Sequence, residues 1–448
     1  MKKVKNRTIS VLILVGLTIL ALGFYTFRLV TNGQMWASSV VNSNVHTSRV
    51  LTVGTITDRN GIVLADVTDG RRTFSENEQI RRATLHVVGD PAGNIGTGAL
   101  TMFSADLIGY NIVFGTYSRV GEGNQIALTI DANLNLAAYR ALAGQRGSVI
   151  VKNFETGEIL AMVSNPTFDP ANPPVITDDD PAFDGVFLNR TISSALTPGS
   201  TFKLITAVAA IENIDDIFER RFSCDGTMHT LRGNVYCMRA HGNISFEEAM
   251  SVSCNVAFGT LAIELGADTL ESYVRQLGLS EPTTVGGIAT VSGNFDRAAP
   301  GTADLAWSGV GQFTNTVCPA AMLRFVGAVA NGGVAVEMSI IQRQGVLANF
   351  RNVSETRIMS EETARKLGEI IDYSVHIPGA LANFPGLNIH AKTGTAELGN
   401  DLAPHAWFAG YITNPGFPLA FVVVVEHGGG GFAVAAPVAN AVLQAAVG

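Results

Sequence analysis

Ser200 and Lys203 stand three residues apart in a chain that has only seven lysines. Three residues are close to one helical turn, so on a helix the serine hydroxyl and the lysine amine would share a face. A free serine is a weak nucleophile that needs an adjacent base, and a buried lysine whose charged form is disfavoured can be that base. Thr197-Pro198-Gly199 interrupts the chain just before this pair, which places Ser200 at a helix N-terminus, where the backbone dipole stabilises negative charge. Alone, the same pattern is equally typical of an ordinary helix start with a surface lysine.

Two further strings supply the other groups that a nucleophilic serine would need. Ser253-Cys254-Asn255 offers a hydroxyl that can relay a proton and an amide that can hold a carbonyl or the lysine. Lys392-Thr393-Gly394-Thr395 lies on a predicted strand, where Lys392 and the threonine hydroxyls of Thr393 and Thr395 can bind a carboxylate and Gly394 permits close backbone approach. Each string alone is weak, but the three in this order favour a single acyl-transfer site.

The elements that must position these residues follow from the hydrophobic pattern. We expect strands at 147–151 and 159–163 around a Gly turn, and three more at 387–395, 406–412 and 419–426. We expect helices at 132–144, 202–211, 246–265, 320–329 and 436–446. Strands at both ends with helices between them predict an α+β fold, in which one antiparallel sheet is assembled from both ends of the domain and covered by helices.

The N-terminal part of the chain has a different character. Residues 8–27 are almost continuously apolar, which is enough to span a bilayer, and Lys2, Lys3, Lys5 and Arg7 precede them. The positive-inside rule then leaves a cytoplasmic tail at 1–7, an anchor at 8–29, and everything later outside the cell membrane. The alternative is a cleaved signal peptide with Ala21-Leu22-Gly23 as a poor cleavage site, and the catalytic part is extracytoplasmic in both cases.

Between the anchor and the sheet we expect a small, mainly extended module at 30–140, a pedestal that lifts the catalytic domain at 141–448 off the membrane. The net charge of −8 argues against a nucleic-acid partner, because a protein that binds nucleic acid usually has a basic face. The chain has neither a phosphate-binding Gly-rich string nor a His-Glu-x-x-His metal string, so the chemistry needs no cofactor and no metal.

The four cysteines leave several interpretations open. An external location makes a disulfide between Cys224 and Cys237 plausible. The same two cysteines with His229 and His241 could instead bind zinc, although their spacing fits no standard zinc finger, or they could stay reduced. Cys254 and Cys318 have the sequence context of small apolar core residues.

From residue 54 onward, the chain resembles a class B penicillin-binding protein of the short-pedestal type, a monofunctional peptidoglycan D,D-transpeptidase. Besides the three strings above, the resemblance rests on Arg146-Gly147-Ser148-Val149-Ile150-Val151, Thr156-Gly157-Glu158-Ile159-Leu160-Ala161-Met162, Leu188-Asn189-Arg190, Pro198-Gly199-Ser200-Thr201-Phe202-Lys203, His405-Ala406-Trp407-Phe408 and Glu426-His427. Two positions depart from the family pattern: Val53 replaces an arginine before Gly54, and Cys318 replaces a threonine before Pro319.

The resemblance implies the penicillin-recognising serine transpeptidase fold, with a five-stranded antiparallel sheet, and a role for each site residue. Ser200 would form an acyl-enzyme on a D-Ala-D-Ala stem peptide or a β-lactam, with Lys203 as base. Ser253 and Asn255 would complete the proton network. The Lys392 string would bind the terminal carboxylate, and the backbone N–H groups of Ser200 and Thr395 would form the oxyanion hole. Because no glycosyltransferase region is evident, the resemblance implies a separate, multi-spanning membrane glycan polymerase as the partner.

Three other activities share these strings. A serine β-lactamase of one common class has a Glu-x-x-Asn string that activates water, and none occurs between Asn255 and Lys392. An antibiotic sensor would need a cytoplasmic effector, for which seven residues before the anchor leave no room. A D,D-carboxypeptidase, which uses water as acceptor, is closer in chemistry, and only the anchor and pedestal favour the transpeptidase over it.

Overall fold

The computed structural model describes residues 2–37, 39, 46–47, 50–111, 115–116, 123–177, 179–342, 354–375, 383–399 and 401–448. Within these ranges the largest sheet has five strands: β1 (Gly147–Asn153), β2 (Ile159–Asn165), β3 (Ile389–Ala396), β4 (His405–Asn414) and β5 (Phe417–Val425). Their order is β2-β1-β5-β4-β3, and every neighbouring pair is antiparallel. The predicted sheet built from both ends of the domain is confirmed, and β3, which carries Lys392, lies at its edge.

Both faces of this sheet are buried, because the central strands are apolar on both sides. On one face Val422 packs with the helix Pro319–Ala330. On the other face Val423 packs with the helices Ala132–Leu142 and Ala436–Val447. Near-continuous apolar strands are what a sheet covered on both sides requires. β3 is one of the two edge strands, so its outer side is not paired with another strand of this sheet.

The helical region between β2 and β3 supplies the other wall of the site. The helix expected at 202–211 is Lys203–Asn213, preceded by a 3₁₀ turn at Gly199–Phe202. The helix expected at 246–265 is in fact two helices, Phe246–Ser251 and Asn255–Gln276, the second broken at Gly266. Further helices in the described residues are Arg190–Ser193, Ala303–Val310 and Glu361–Val375, with a 3₁₀ turn at Pro181–Phe183 and a π-helical turn at Gly431–Ala435. Short strands of two to four residues also pair in antiparallel fashion, namely 221–224 with 242–245, 227–229 with 234–236, 284–285 with 288–289, and 334–336 with 355–357.

The pedestal contains the expected extended structure but also helices that the sequence analysis missed. Its sheet has the order Arg71–Phe74, Val63–Thr68, Thr55–Thr57, Gln125–Ala127. The helix Glu78–Val88 and the short helices Ala99–Met102 and Ser104–Ile108 make it a mixed α/β unit, which corrects the expectation of a mainly β module. Two-residue strands at His46–Thr47, Val50–Leu51, Tyr110–Asn111 and Gly115–Thr116 complete its described part.

The missed pedestal helix has a clear physical origin. The Asn77 side chain accepts from the backbone N–H groups of Gln79 and Ile80, and this cap satisfies donors that a helix leaves unpaired. The buried side chains Ile80, Ala83, Val87 and Val88 lie on one face of the helix. That face packs on the helix Ala132–Leu142 and on β2. The sequence signal for this helix is Asn77 as an N-cap, followed by apolar residues at helical spacing.

Polar contacts fix the pedestal helix to the catalytic domain. Arg81 forms a two-pronged ion pair with Asp169, with N–O distances of 2.6 and 2.8 Å, and both side chains are largely buried. The buried His86 ring bonds the carbonyl of Val186 through Nε2 at 2.7 Å. The helix Ala132–Leu142 straddles the boundary expected at 140/141 and packs on both units. The placement of that boundary stays a prediction.

One helix in the described residues is long and apolar enough to cross a membrane. It runs Lys2–Ala37, and its apolar stretch is Val4–Gly33. Leu12, Leu14 and Leu20 on it are each more than 60% exposed. An exposed apolar helix of this length fits a single membrane anchor.

Candidate active site

The nucleophile candidate Ser200 sits in the 3₁₀ turn that leads into the helix Lys203–Asn213. The turn is held from below, since Gly199 N–H donates to the carbonyl of Gly311 and the Thr201 hydroxyl donates to that of Pro198. Gly199 has a φ of +54°, and a Cβ there would lie 2.6 Å from the carbonyl oxygen of Thr395. A glycine is needed for both reasons, and the turn is thereby pressed against β3.

Lys203 lies one residue past this turn with its amine at the centre of the site. Its Nζ is 3.1 Å from Ser200 Oγ, 2.6 Å from the carbonyl oxygen of Ser253, 3.0 Å from Ser253 Oγ and 2.7 Å from Asn255 Oδ1. The side chain is fully buried. The sequence spacing that predicted a shared face for Ser200 and Lys203 is therefore matched by hydrogen-bond contact.

The charge state of Lys203 follows from its surroundings. Burial, and next the positive charge of Lys392, hold the pKa of Lys203 well below its ordinary value of 10.5. A neutral amine has two protons and one lone pair. The two shortest contacts, to the Ser253 carbonyl and to Asn255 Oδ1, can take both protons and leave the lone pair for the Ser200 hydroxyl.

Ser253 and Asn255 are placed by the break between two helices. Ser253 has a φ of +54°, which costs a non-glycine residue energy and ends the helix Phe246–Ser251. The next helix begins at Asn255, whose side-chain Nδ2 donates to the carbonyl of Tyr236 at 2.8 Å. That contact fixes which amide atom faces Lys203. Tyr236 acts through its backbone, so its residue type gave no signal in the sequence.

The third string lines the other wall of the site from the edge strand β3. Lys392 Nζ donates to Ser253 Oγ at 3.1 Å and to the carbonyl of Thr393 at 3.1 Å. Burial lowers the pKa of Lys392 to about 8. Thr393 is half-buried, and Thr395 is exposed with Oγ1 accepting from the N–H of Gly431. A charged amine and two threonines are thus available at one strand edge.

Four of the polar side chains form one continuous chain of hydrogen bonds, and Asn255 joins it as a branch at Lys203. It runs from Ser200 Oγ through Lys203 Nζ and Ser253 Oγ to Lys392 Nζ, and each link is 3.0 or 3.1 Å long. Such a chain can take a proton from the serine and return it near a leaving group on the other side. The structure brings together Ser200, Lys203, Ser253, Asn255 and Lys392 in one site.

Two strings quoted from the sequence meet beside this site in a contact that the sequence analysis did not predict. Arg190 Nε donates to Glu426 Oε1 at 2.7 Å, and the two side chains are 4% and 12% exposed. Arg190 also donates to the carbonyl of Gly185. This pair joins the segment after β2 to the end of β5, 236 residues later. Because the two residues are so far apart in the chain, their pairing could not be inferred from the sequence.

The cysteine predictions have a mixed outcome. All four cysteines are described and unbonded, and Cys224 Sγ lies 3.7 Å from Cys237 Sγ, too far for a bond but close enough for contact. His229 lies apart, with its ring bonded to Asn234. Cys254 is buried in the core, as its sequence context predicted, and its sulfur also lies 3.7 Å from that of Cys237.

Cys318 caps the helix Pro319–Ala330 in the core, as a small buried residue should. His241 approaches Cys224, its Nδ1 3.4 Å from the sulfur. The set that the fold gathers is therefore Cys224, Cys237, His241 and Cys254, which differs from the set considered from sequence by one member.

Comparison with known proteins agrees with this geometry. A family model described as the penicillin binding protein transpeptidase domain matches residues 147–444. The peptidoglycan D,D-transpeptidase PbpA of Mycobacterium tuberculosis is 30% identical over 369 residues, which cover 73% of this chain and 74% of that protein. MrdA of Acinetobacter baumannii, also named a peptidoglycan D,D-transpeptidase, is 26% identical over 71% of this chain and 53% of its own length.

Solved structures give the same result for the fold. The ceftriaxone acyl-enzyme complex of penicillin-binding protein A from M. tuberculosis is 26% identical with a TM-score of 0.76, and the match covers 88% of this chain and 98% of that one. A D,D-transpeptidase domain from Eggerthella lenta is 26% identical with a TM-score of 0.73 over 88% of this chain and 97% of that one. With the matched sheet, the buried lysine and the serine turn described above, the chain belongs to the penicillin-binding protein transpeptidase family, among its class B members.

Proposed function

We propose that Ser200 is the nucleophile of a peptidoglycan D,D-transpeptidase and that Lys203 is its base. The observation that carries this assignment is a fully buried amine whose lone pair is free to face a serine hydroxyl 3.1 Å away. Ser200 Oγ attacks the carbonyl carbon of the penultimate D-alanine while Lys203 takes the hydroxyl proton. The bond to the terminal D-alanine then breaks, and that amine leaves with a proton returned through Ser253.

The second half of the reaction reverses the roles with a different amine. An amino group of a neighbouring stem peptide gives a proton to Lys203 and attacks the acyl carbon. The bond between that carbon and Ser200 Oγ then breaks, Lys203 returns the proton to Oγ, and the new amide is the cross-link. The backbone N–H groups of Ser200 and Thr395 are proposed to stabilise the oxyanion, since the turn and β3 are in close contact there. Lys392, Thr393 and Thr395 are proposed to hold the terminal carboxylate.

The membrane location and the partner belong to the same proposal. The helix Val4–Gly33 is proposed as an uncleaved anchor with the catalytic domain outside the cell membrane, supported by the basic residues before it. Both stem peptides are attached to glycan strands. A multi-spanning membrane glycan polymerase that supplies those strands is therefore the proposed partner.

Covalent labelling by a fluorescent penicillin tests the nucleophile. The β-lactam ring opens on the serine hydroxyl and leaves a stable acyl-enzyme, so the full-length chain in detergent should be labelled on the peptide that contains Ser200. Ser200→Ala should abolish the label. Label that persists in this variant, or that maps to another serine, contradicts the assignment.

Lys203→Ala tests the base. Loss of a proton-transfer group costs about 10² to 10⁴-fold, so acylation should slow by that factor while folding is retained. Lys366→Ala is the matched control, because Lys366 lies outside the site and pairs with Glu362 on the surface of its own helix, Glu361–Val375. Near-normal acylation of Lys203→Ala would remove this lysine from the mechanism.

A second assay separates transpeptidation from hydrolysis by water. The protein is given a stem-peptide donor and an added amine, and the cross-linked product is detected by its mass.

A further inference from the structure

A cluster of soft metal-ligating atoms lies directly behind the Ser253 turn. Cys224 ends a strand (Arg221–Cys224), Cys237 follows the strand Asn234–Tyr236, His241 precedes a third strand, and Cys254 precedes the helix Asn255–Gln276. Their three sulfurs and one imidazole nitrogen all lie within 4.8 Å of one another. Cys224 and Cys254 are buried, and the other two are half-buried.

Three of the six separations between the ligand atoms match the edges of a tetrahedral site, and all six are within 4.8 Å. With Zn–S near 2.3 Å and Zn–N near 2.0 Å, the edges of a tetrahedron are about 3.8 Å between sulfurs and about 3.5 Å between sulfur and nitrogen. The observed separations are 3.7 Å for Cys224–Cys237, 3.7 Å for Cys237–Cys254 and 3.4 Å for Cys224 Sγ to His241 Nδ1. A cation could enter between these atoms with little movement of the chain.

The surroundings of the sulfurs suit thiolates that bind a cation. Cys237 Sγ accepts from the backbone N–H groups of Asn255 and Val256 at 3.2 and 3.4 Å. Cys254 Sγ accepts from the N–H of Ala257 at 3.4 Å. Amide donors of this kind support and orient the ligands of metal sites. The donors are the first turn of the helix that carries Asn255.

We propose that Cys224, Cys237, Cys254 and His241 bind one structural Zn²⁺ that fixes the Ser253–Asn255 turn of the active site. Three cysteines with one histidine are a closed structural zinc set. A disulfide is the competing state in an oxidising compartment. A disulfide can join only two of these three thiols and leaves the third as a free thiol, whereas one zinc ion can bind all three.

The consequence of zinc binding is positional. Cys254 separates Ser253 from Asn255 in the chain, and Cys237 follows Tyr236, whose carbonyl holds the Asn255 amide. Binding therefore ties both supports of Asn255 to one ion and holds Ser253 in its left-handed conformation. The ion lies behind the substrate cleft and touches no reacting atom. These ligands are positioning residues rather than catalytic ones.

Metal content is the direct test. The full-length chain purified in detergent without chelator should carry about one zinc by elemental mass spectrometry, and His241→Gln and Cys254→Ser should lose it. His229→Gln and Cys318→Ser are the matched controls, since one histidine and one cysteine are changed outside the cluster, and both should keep the metal. Zinc that is absent from the wild type and not taken up on titration overturns the proposal, as does equal zinc in all four variants.

Two measurements on the unchanged sequence keep the test decisive if a variant fails to fold. Chelation with phenanthroline should lower the Tm and slow penicillin acylation by about tenfold or more, and added zinc should restore both. Intact mass under denaturing, non-reducing conditions should match the fully reduced chain. The loss of two hydrogens, with no zinc, would instead establish a disulfide. Ser200→Ala should still bind zinc, so failure of the metal site and failure of the proposed nucleophile are separate outcomes.

Discussion

At the scale of single residues, the site depends on two buried lysines on either side of one hydroxyl. Lys203 and Lys392 both contact Ser253 Oγ, at 3.0 and 3.1 Å. Burial lowers the pKa of both, but that of Lys392 only to about 8, while Lys203 is also repelled by Lys392. At neutral pH this difference favours one neutral amine, suited to a base, beside one ammonium, suited to a carboxylate.

The division of charge predicts an alkaline limit to acylation. The proposed contact between Lys392 and the β-lactam carboxylate needs a charged lysine, and that charge is lost as pH rises through about 8. The second-order rate constant of penicillin acylation should therefore fall above this pH. Lys392→Arg keeps its charge and should lack the alkaline decline, even if its plateau is lower. A decline at the same pH in both proteins would assign the limit to another group.

The candidate catalytic residues were predictable from sequence because the proposed chemistry depends on their types and spacing. Ser200, Lys203, Ser253, Asn255 and the Lys392 string all converge in the structure. The supports were not predictable. Tyr236 contributes only a carbonyl, and Cys254 gains its neighbours from segments that the fold brings together.

At the scale of elements, the site is the contact between one turn and one strand. The turn Gly199–Phe202 lies on β3, and a Cβ on Gly394 would stand 2.6 Å from the carbonyl oxygen of Pro198. β3 is the edge of the sheet, so its outer backbone groups can pair with an extended peptide. Element types were largely predictable, because strands and helices leave a period in the sequence. The break at Ser253 was not, since a left-handed serine is imposed by its tertiary contacts.

Gly394→Ala tests this contact. The added methyl must push the turn away from β3, and a shift near 1 Å at a catalytic site costs about 10²-fold in rate. Penicillin acylation should fall by that order, and overpacking by about 1–3 kcal/mol should also lower the Tm by a few degrees without preventing folding. Gly96→Ala is the control, because nothing lies within 4 Å of a Cβ at that pedestal position. An unchanged acylation rate in Gly394→Ala would mean that the turn and strand can separate without loss.

At the scale of the whole molecule, the pedestal is fastened to the catalytic domain by polar groups that cannot easily change charge. The fully buried His86 bonds the carbonyl of Val186, and Arg81 on the same helix pairs with Asp169 of the catalytic domain. Burial lowers the pKa of His86 to about 4. Hydrogen bonding to Arg81 lowers the pKa of Asp169 to about 2. The sequence alone offered no means to pair these groups across domains.

Because of His86, the free energy of unfolding should fall as the pH is lowered into the mildly acidic range. The unfolded chain takes up a proton at its ordinary pKa of 6.5, and the folded chain only near 4, so unfolding gains as pH falls. The contribution is complete above about 6.5 and is lost progressively down to about 4, with a total of about 3 kcal/mol. His86→Gln keeps a donor without titration, and its Tm should fall less than that of the wild type over this interval. His229→Gln, on an exposed hairpin, should behave as the wild type; equal pH dependence in all three would exclude His86 as the cause.

The pairing of β1 with β5 also determines the stage of protein synthesis at which the active site can form. The register that joins Gly147 to Val425 cannot form until nearly the whole polypeptide has left the ribosome. Ser200 is synthesised long before Lys392, and until β5 bridges β1 to β4 the nucleophile has no opposite wall. We therefore expect a nascent chain to react with penicillin only after its last strands have been made.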